Sequence, residues 1–105
     1  MGKKGIRIMS VKHLERVLRS SGFNIEAAYL FGSRAKGTHL DSSDWDIIIV
    51  SDDFENIPFP HRATFFVKHV PIRRADILCY TKKEFREKSK EVGFKEIVSE
   101  GIKLI

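Results

Sequence analysis

The sequence has few cysteines and no long apolar stretch. Cys79 is its only cysteine, so no disulfide can form within the chain, and we expect a reducing, cytoplasmic location. The longest apolar runs, residues 27–31 and 47–50, are far shorter than the roughly 20 residues that span a bilayer. The first ten residues, MGKKGIRIMS, lack the apolar core of a signal peptide. We therefore expect neither a membrane span nor secretion.

The chain is short, and its composition is that of an ordinary globular protein. Its 105 residues suit one domain with a modest core, so we expect a single domain over residues 1–105. Apolar residues make up 42% and charged residues 31%, with seven glycines and three prolines, which argues against disorder, collagen and coiled coil.

Positive charge is concentrated towards both ends of the chain. Residues 1–22 contain six basic residues and one acidic residue. Residues 23–61 contain two basic and seven acidic residues, and residues 62–105 contain eleven basic and six acidic residues. An acidic centre with basic flanks is compatible with an ordinary solvated surface, and also with a site that holds cations and attracts polyphosphates. Nucleic-acid binding is possible but not favoured, because the basic run at residues 81–95 alternates in sign as an exposed helix face does.

Helices alternate with apolar strands along the chain. The pattern predicts a helix from the N-cap Ser10 to a stop at Gly22 and another that begins after Thr81. It predicts strands at residues 24–31, 45–50 and 74–80, and further helices at residues 32–36, 62–68 and 94–100, with Gly93 interrupting the helical tail. This order predicts an α/β (α+β) fold, a small two-layer sandwich with helices packed on a short mixed sheet.

The segment GSRAKG, residues 32–37, resembles a phosphate loop at first sight. Its two glycines are separated by four residues and followed by Thr38, close to the pattern G-x-x-x-x-G-K-[ST]. However, Thr38 occupies the position of the lysine that must reach the phosphates. The sequence therefore excludes a P-loop.

Two aspartates open the apolar strand at residues 45–50. Alternate residues of a strand point to the same face, so Asp44 and Asp46 present two neighbouring carboxylates while Trp45 points the other way. Two unpaired carboxylates repel each other, and a hard divalent ion such as Mg²⁺ is the expected occupant of the space between them.

A longer pattern joins these features. Gly32-Ser33 is followed after ten residues by Asp44-Trp45-Asp46 and the apolar strand. This resembles the signature of the minimal nucleotidyltransferases, a family of the DNA polymerase β-like superfamily, and the resemblance covers about residues 24–81. It implies the nucleotidyltransferase fold and Mg²⁺-dependent transfer of NMP from an NTP, with ATP as the expected substrate, to an acceptor hydroxyl. It also implies a two-ion metal site.

The resemblance assigns roles to individual residues. Gly32 would let the backbone approach a phosphate, Ser33 would offer a hydroxyl and an amide, and Arg34, preferred to Lys36 for its forked donors, would add a cation. The third acidic residue of the family lies on the strand after the D-x-D, where this sequence has Asp76. Asp44, Asp46 and Asp76 are then the expected catalytic and metal-binding residues. An alternative for Asp76 is a structural salt bridge to Arg73 or Arg74.

The resemblance also suggests a partner. Nucleotidyltransferases of this size are similar to the antitoxin half of two-gene systems, in which the enzyme adenylylates an all-helical HEPN-domain toxin. We therefore expect a HEPN-domain partner that supplies the acceptor, and a hetero-complex or oligomer. Two alternatives stay open: a non-catalytic nucleotide- or partner-binding module that blocks a helical partner by occlusion, and nucleotidyl transfer to a small molecule.

Overall fold

The computed structural model describes residues 5–105, and its centre is a four-stranded mixed sheet in the order β3-β2-β1-β4. The strands are β1 Ala27–Phe31, β2 Trp45–Val50, β3 Ala75–Tyr80 and β4 Ile102–Lys103. Strand β2 is antiparallel to β1 and parallel to β3, while β4 is antiparallel to β1. The expected small α+β fold with a short mixed sheet is confirmed.

Among residues 5–105, five α-helices pack around the sheet: α1 Val11–Arg19, α2 Ser33–Lys36, α3 Phe59–His69, α4 Lys82–Lys88 and α5 Val92–Ser99. Ser10 caps α1 by accepting a hydrogen bond from the backbone N–H of His13, and Thr81 forms a capping box with Glu84 at the start of α4. Within residues 5–105, no helix combines the length and the apolar character needed to cross a membrane.

The buried side chains form a cluster on each face of the sheet. Successive residues of β2 alternate between the faces, so both sides of this strand are covered. Ile47 and Ile49 belong to the larger cluster, with Leu14 and Leu18 of α1 and Phe66 of α3. The smaller cluster consists of Ile48, Val50, Tyr80 and Phe94, and lies under α4 and α5. This second face is open at the end where β2 begins, since Asp46 is only half-buried there.

Several boundaries differ from the sequence prediction. Strand β1 begins at Ala27 rather than at residue 24. Helix α3 begins at Phe59 rather than at residue 62, because a proline is tolerated in a first turn, where its missing N–H has no helical partner. The break between α4 and α5 lies at residues 89–91, and Gly93 belongs to the first turn of α5 instead of interrupting the helix.

Candidate active site

Three aspartates lie on the open part of the second face. Asp44 immediately precedes β2, Asp46 is the second residue of β2, and Asp76 is the second residue of β3. Asp46 and Asp76 are in register across the parallel pair, so they share a face on strands that lie about 4.8 Å apart. Asp44 and Asp76 are exposed and Asp46 is half-buried. The structure therefore brings together the three carboxylates that the sequence analysis singled out.

Within the described residues, no nearby base compensates the charges of these carboxylates. Among residues 5–105, no ion pair or side-chain hydrogen bond involves Asp44, Asp46 or Asp76, so the salt bridge from Asp76 to Arg73 or Arg74 is not formed. Burial raises the pKa of Asp46, and the negative charges of Asp76 and Asp44 raise it further. Such a set of repelling anions favours a bound cation.

The donor chemistry fits Mg²⁺, which prefers carboxylate and phosphate oxygens. However, the three carboxylates do not converge on one position. In the described part of the chain, no group of three or more His, Cys, Asp or Glu residues is arranged to hold a metal ion. Among the described residues, the structure thus provides carboxylates that suit Mg²⁺ on one face of the sheet without assembling them into a metal site.

Gly32 joins β1 to α2 and lies directly against Asp46. Its φ of +75° is in the left-handed region, and a Cβ added here would overlap the Asp46 carboxylate. Glycine is therefore favoured by the backbone conformation, and a larger residue would also displace the Asp46 carboxylate. Within residues 5–105, the hydroxyl of the neighbouring half-buried Ser33 has no hydrogen-bond partner and is available to a ligand.

Arg34 points away from the carboxylates. Its guanidinium lies over the ring of Trp45, 4.1 Å from the ring centre, and Trp45 faces the side of β2 opposite to Asp46. Its Nε and Nη2 donate hydrogen bonds of 3.0 Å to the carbonyls of Ser43 and Asp41. Arg34 therefore holds the loop that leads to Asp44, and its contact with a triphosphate stays a prediction.

The sequence matches a known protein family over most of its length. A family model described as polymerase beta, nucleotidyltransferase matches residues 12–105. The chain belongs to this family. No curated protein is significantly similar to it.

Solved structures share the fold of this nucleotidyltransferase. A protein from Sulfolobus solfataricus, provisionally described as a nucleotidyltransferase, is 24% identical with a TM-score of 0.59, over 89% of this chain and 77% of the other. A toxin-antitoxin complex with AMP-PNP contains a chain that is 24% identical with a TM-score of 0.57. The match covers 92% of this chain and 73% of that chain. In the toxin-antitoxin MntA-HpeT, in a variant with two aspartates changed to glutamate, a chain is 20% identical with a TM-score of 0.53. The match covers 92% of this chain and 73% of that chain.

Two contacts of the nucleotidyltransferase were not found from its sequence. One is the stack of Arg34 on Trp45, which no motif marks. The other is a bidentate pair between Arg62, buried in α3, and Glu84 of α4. Arg62 also donates hydrogen bonds of 2.7 Å to the carbonyl of Ile57 and 3.2 Å to that of Cys79. An arginine in an amphipathic helix is usually exposed, so nothing local identified this one as buried.

Proposed function

We propose that this nucleotidyltransferase transfers AMP from ATP to a hydroxyl group on an all-helical HEPN-domain toxin, and so acts as its antitoxin. The observation that carries the proposal is the register pairing of Asp46 with Asp76, with Asp44 on the same face and Gly32 in contact with Asp46. A family match over residues 12–105 supports nucleotidyl transfer. The similarity to a toxin-antitoxin complex with AMP-PNP, an ATP analogue, supports the choice of ATP and of a toxin partner.

Asp44, Asp46 and Asp76 are the residues that would hold two Mg²⁺ ions. Bound Mg²⁺ would neutralise the triphosphate and polarise its oxygens. The same three carboxylates, unpaired with any base in residues 5–105, would otherwise repel the nucleotide, which makes transfer dependent on a divalent cation.

The remaining chemistry falls to residues around the carboxylates. The backbone at Gly32 lies against Asp46, and Ser33 is the next residue, at the start of α2. The Gly32 backbone and the Ser33 hydroxyl would contact the β- and γ-phosphates. Asp76 is exposed on β3, an edge strand, where an acceptor can approach. We assign to Asp76 the orientation and deprotonation of the acceptor hydroxyl.

The transfer forms one bond to phosphorus and breaks another. The acceptor oxygen forms a bond to the α-phosphorus of ATP, the bond from that phosphorus to the oxygen bridging to the β-phosphorus breaks, and pyrophosphate leaves. The hydroxyl proton passes to the Asp76 carboxylate. Because the reacting groups mainly need positioning and charge neutralisation, a few residues of a small chain suffice.

A labelling experiment tests the proposal. The chain is incubated with Mg²⁺, each α-labelled NTP in turn, and the protein product of the neighbouring gene. We expect label from ATP on that protein, and none when Asp44→Asn and Asp46→Asn are combined. The control combines Glu87→Gln with Glu91→Gln, which also removes two negative charges, but from the exposed surface around α4. This variant should retain transfer.

The other outcomes exclude the proposal in different ways. Label on a small hydroxylated molecule but not on the protein would overturn the assigned acceptor. Tight binding and inhibition of the toxin without label, unchanged by the aspartate substitutions, would instead show a module that acts by occlusion.

A further inference from the structure

A second site lies on the opposite side of β2 from the carboxylates. A half-open cavity of about 450 Å³ is formed there between the segment before α1, the loop after α2 and the turn before β3. Its lining includes four arginines and one acidic residue: Arg7, Arg34, Arg73, Arg74 and Asp41. The volume is that of a small-ligand pocket.

Backbone pairing forces two of these arginines together. Ile6 and Ile72 form a parallel bridge, supported by hydrogen bonds from Ile6 N–H to the Pro71 carbonyl and from Arg73 N–H to the Ile6 carbonyl. Both isoleucines pack on the core, so the next residues, Arg7 and Arg73, lie side by side and face away from it. Like charges placed in this way repel, and an anion between them would remove the repulsion.

A third arginine is held beside them by an unusual backbone. Arg74 is the single non-glycine residue among residues 5–105 with a positive φ, +54°. Its carbonyl accepts a 2.7 Å hydrogen bond from Trp45 N–H, and its side chain donates to the Ser42 carbonyl at 3.3 Å. Such conformations cost free energy and are retained where the surrounding structure fixes them, often at binding sites.

In the part of the chain that the structure describes, no ion pair involves Arg7, Arg73 or Arg74, although Asp41 lines the same cavity. Guanidinium groups bind phosphate oxygens through paired donors. Ile8 and Met9 add an apolar edge. Among the described lining residues, the aromatic ring is that of Trp45, which is 6% exposed and covered by Arg34, so an exposed ring for stacking nucleic-acid bases is missing.

We propose that this cavity binds a small phosphorylated ligand, with its phosphates between Arg7, Arg73 and Arg74, at a site separate from the three carboxylates. The ligand is of the size of pyrophosphate or a nucleoside diphosphate. Since Asp41 and Ser42 belong to the loop that leads to Asp44, the two sites are joined by one short segment.

Titration of the full chain with pyrophosphate, without divalent metal and at about 0.15 M salt, tests the proposal. Removal of metal leaves the carboxylates repelling anions, and salt at this level screens weak surface attraction. Calorimetry gives the affinity, and the fluorescence of Trp45, the only tryptophan, reports binding at the cavity. We expect saturable binding that is weakened at least about tenfold when Arg7→Gln and Arg73→Gln are combined.

Three comparisons make the result specific. Arg86→Gln combined with Lys95→Gln also removes two positive charges, but from α4 and α5. This variant should bind pyrophosphate as the unmodified chain does. The pair Asp44→Asn and Asp46→Asn should also retain binding, which separates this site from the proposed active site. No saturable binding, equal binding in the Arg7 and Arg73 variant, or binding that changes only with the aspartates would overturn the proposal. Tenfold tighter binding of a 5′-phosphorylated trinucleotide than of ADP would show that the ligand is a nucleic-acid strand instead.

Discussion

Asp46 is placed where its negative charge is unfavourable in the absence of a cation. Partial burial and the charges of Asp76 and Asp44 all raise its pKa, so the protein without metal gains nothing from this group of anions. Residues kept in an unfavourable electrostatic arrangement are typical of functional sites.

Neutralising the pair tests this view. Asp44→Asn combined with Asp46→Asn should abolish Mg²⁺-dependent transfer, while the melting temperature in the absence of metal stays the same or rises by a few degrees, because repulsion is removed. Calorimetric melting with and without Mg²⁺ measures this, and the unmodified chain alone should be stabilised by Mg²⁺. A marked loss of stability in metal-free buffer would mean that the aspartates support the fold.

Gly32 and Gly37 lie at the two ends of α2, and both have a positive φ. Gly37, at φ +77° and ψ 12°, is in the αL region, and a Cβ there meets nothing within 4 Å. Gly32, at φ +75° and ψ −157°, is in a region that is essentially restricted to glycine, and a Cβ there would also overlap Asp46. Gly37→Ala should therefore cost only the backbone strain, about 1 kcal/mol. Gly32→Ala should cost more and also weaken ATP binding, as measured by melting and by ATP titration. Equal effects of the two substitutions on ATP binding would place the phosphates elsewhere.

Asp76 is assigned to the acceptor rather than to the nucleotide. Asp76→Asn should leave ATP binding nearly normal and reduce transfer at least about a hundredfold, which corresponds to roughly 2.7 kcal/mol of transition-state stabilisation. No ion pair joins Asp76 to Arg73 or Arg74 within residues 5–105, and removal of its charge relieves repulsion with Asp46, so the melting temperature should stay the same or rise slightly. Unchanged transfer with lowered stability would reverse this assignment.

At the scale of elements, α3 and α4 are tied together by Arg62 and Glu84. The Arg62 side chain is 6% exposed and that of Glu84 44% exposed, so the pair joins a buried cation to an anion at the surface. The hydrogen bonds from Arg62, followed by those from Thr81, lower the pKa of Glu84 to about 2 from a usual value of 4.5. The anion is thus retained in the folded state at pH values where it would be protonated in the unfolded chain.

This pair predicts a pH dependence of stability. A carboxylate whose pKa is lower when folded adds stability that is complete above pH 4.5 and is lost as the pH falls towards 2. Glu84→Gln should lower the free energy of unfolding by about 1–3 kcal/mol at neutral pH, because Arg62 loses its anionic partner. At pH 2 the substitution should change the free energy of unfolding little. Denaturation measured across this range should show the two curves converging, whereas the exposed Glu87→Gln control stays within about 0.5 kcal/mol throughout. Parallel curves would rule out the linkage.

Local pattern predicted most elements and the shared face of Asp44 and Asp46, since both depend on alternation along one strand. It did not predict the order β3-β2-β1-β4 or the register of Asp46 with Asp76, because these depend on contacts between distant segments. The direction of Arg34 was missed for the same reason: it depends on how α2 is seated over Trp45. The cavity with four arginines likewise combines three segments that are remote in sequence.

At the scale of the whole molecule, β2 connects the two clusters of buried residues. Its neighbouring side chains Ile47 and Ile48 belong to opposite clusters and are both fully buried. Loss of packing on one face therefore shifts the strand on which the other face depends. We infer that the described residues unfold as one cooperative unit, as expected for a single domain.

Cys79 reports on this cooperativity, because it lies on the face of the larger cluster and is 1% exposed. Burial raises the pKa of its thiol to about 12, so native Cys79 should react with thiol reagents only after the chain opens. Phe94→Leu, in the smaller cluster on the other face, should destabilise the chain by about 1–2 kcal/mol and speed labelling of Cys79 about tenfold for each 1.4 kcal/mol lost. Phe66→Leu, in the cluster that contains Cys79, is the matched control and should follow the same relation. If Phe94→Leu lowers the melting temperature while the labelling rate stays unchanged, α4 and α5 open on their own and the chain is not one cooperative unit.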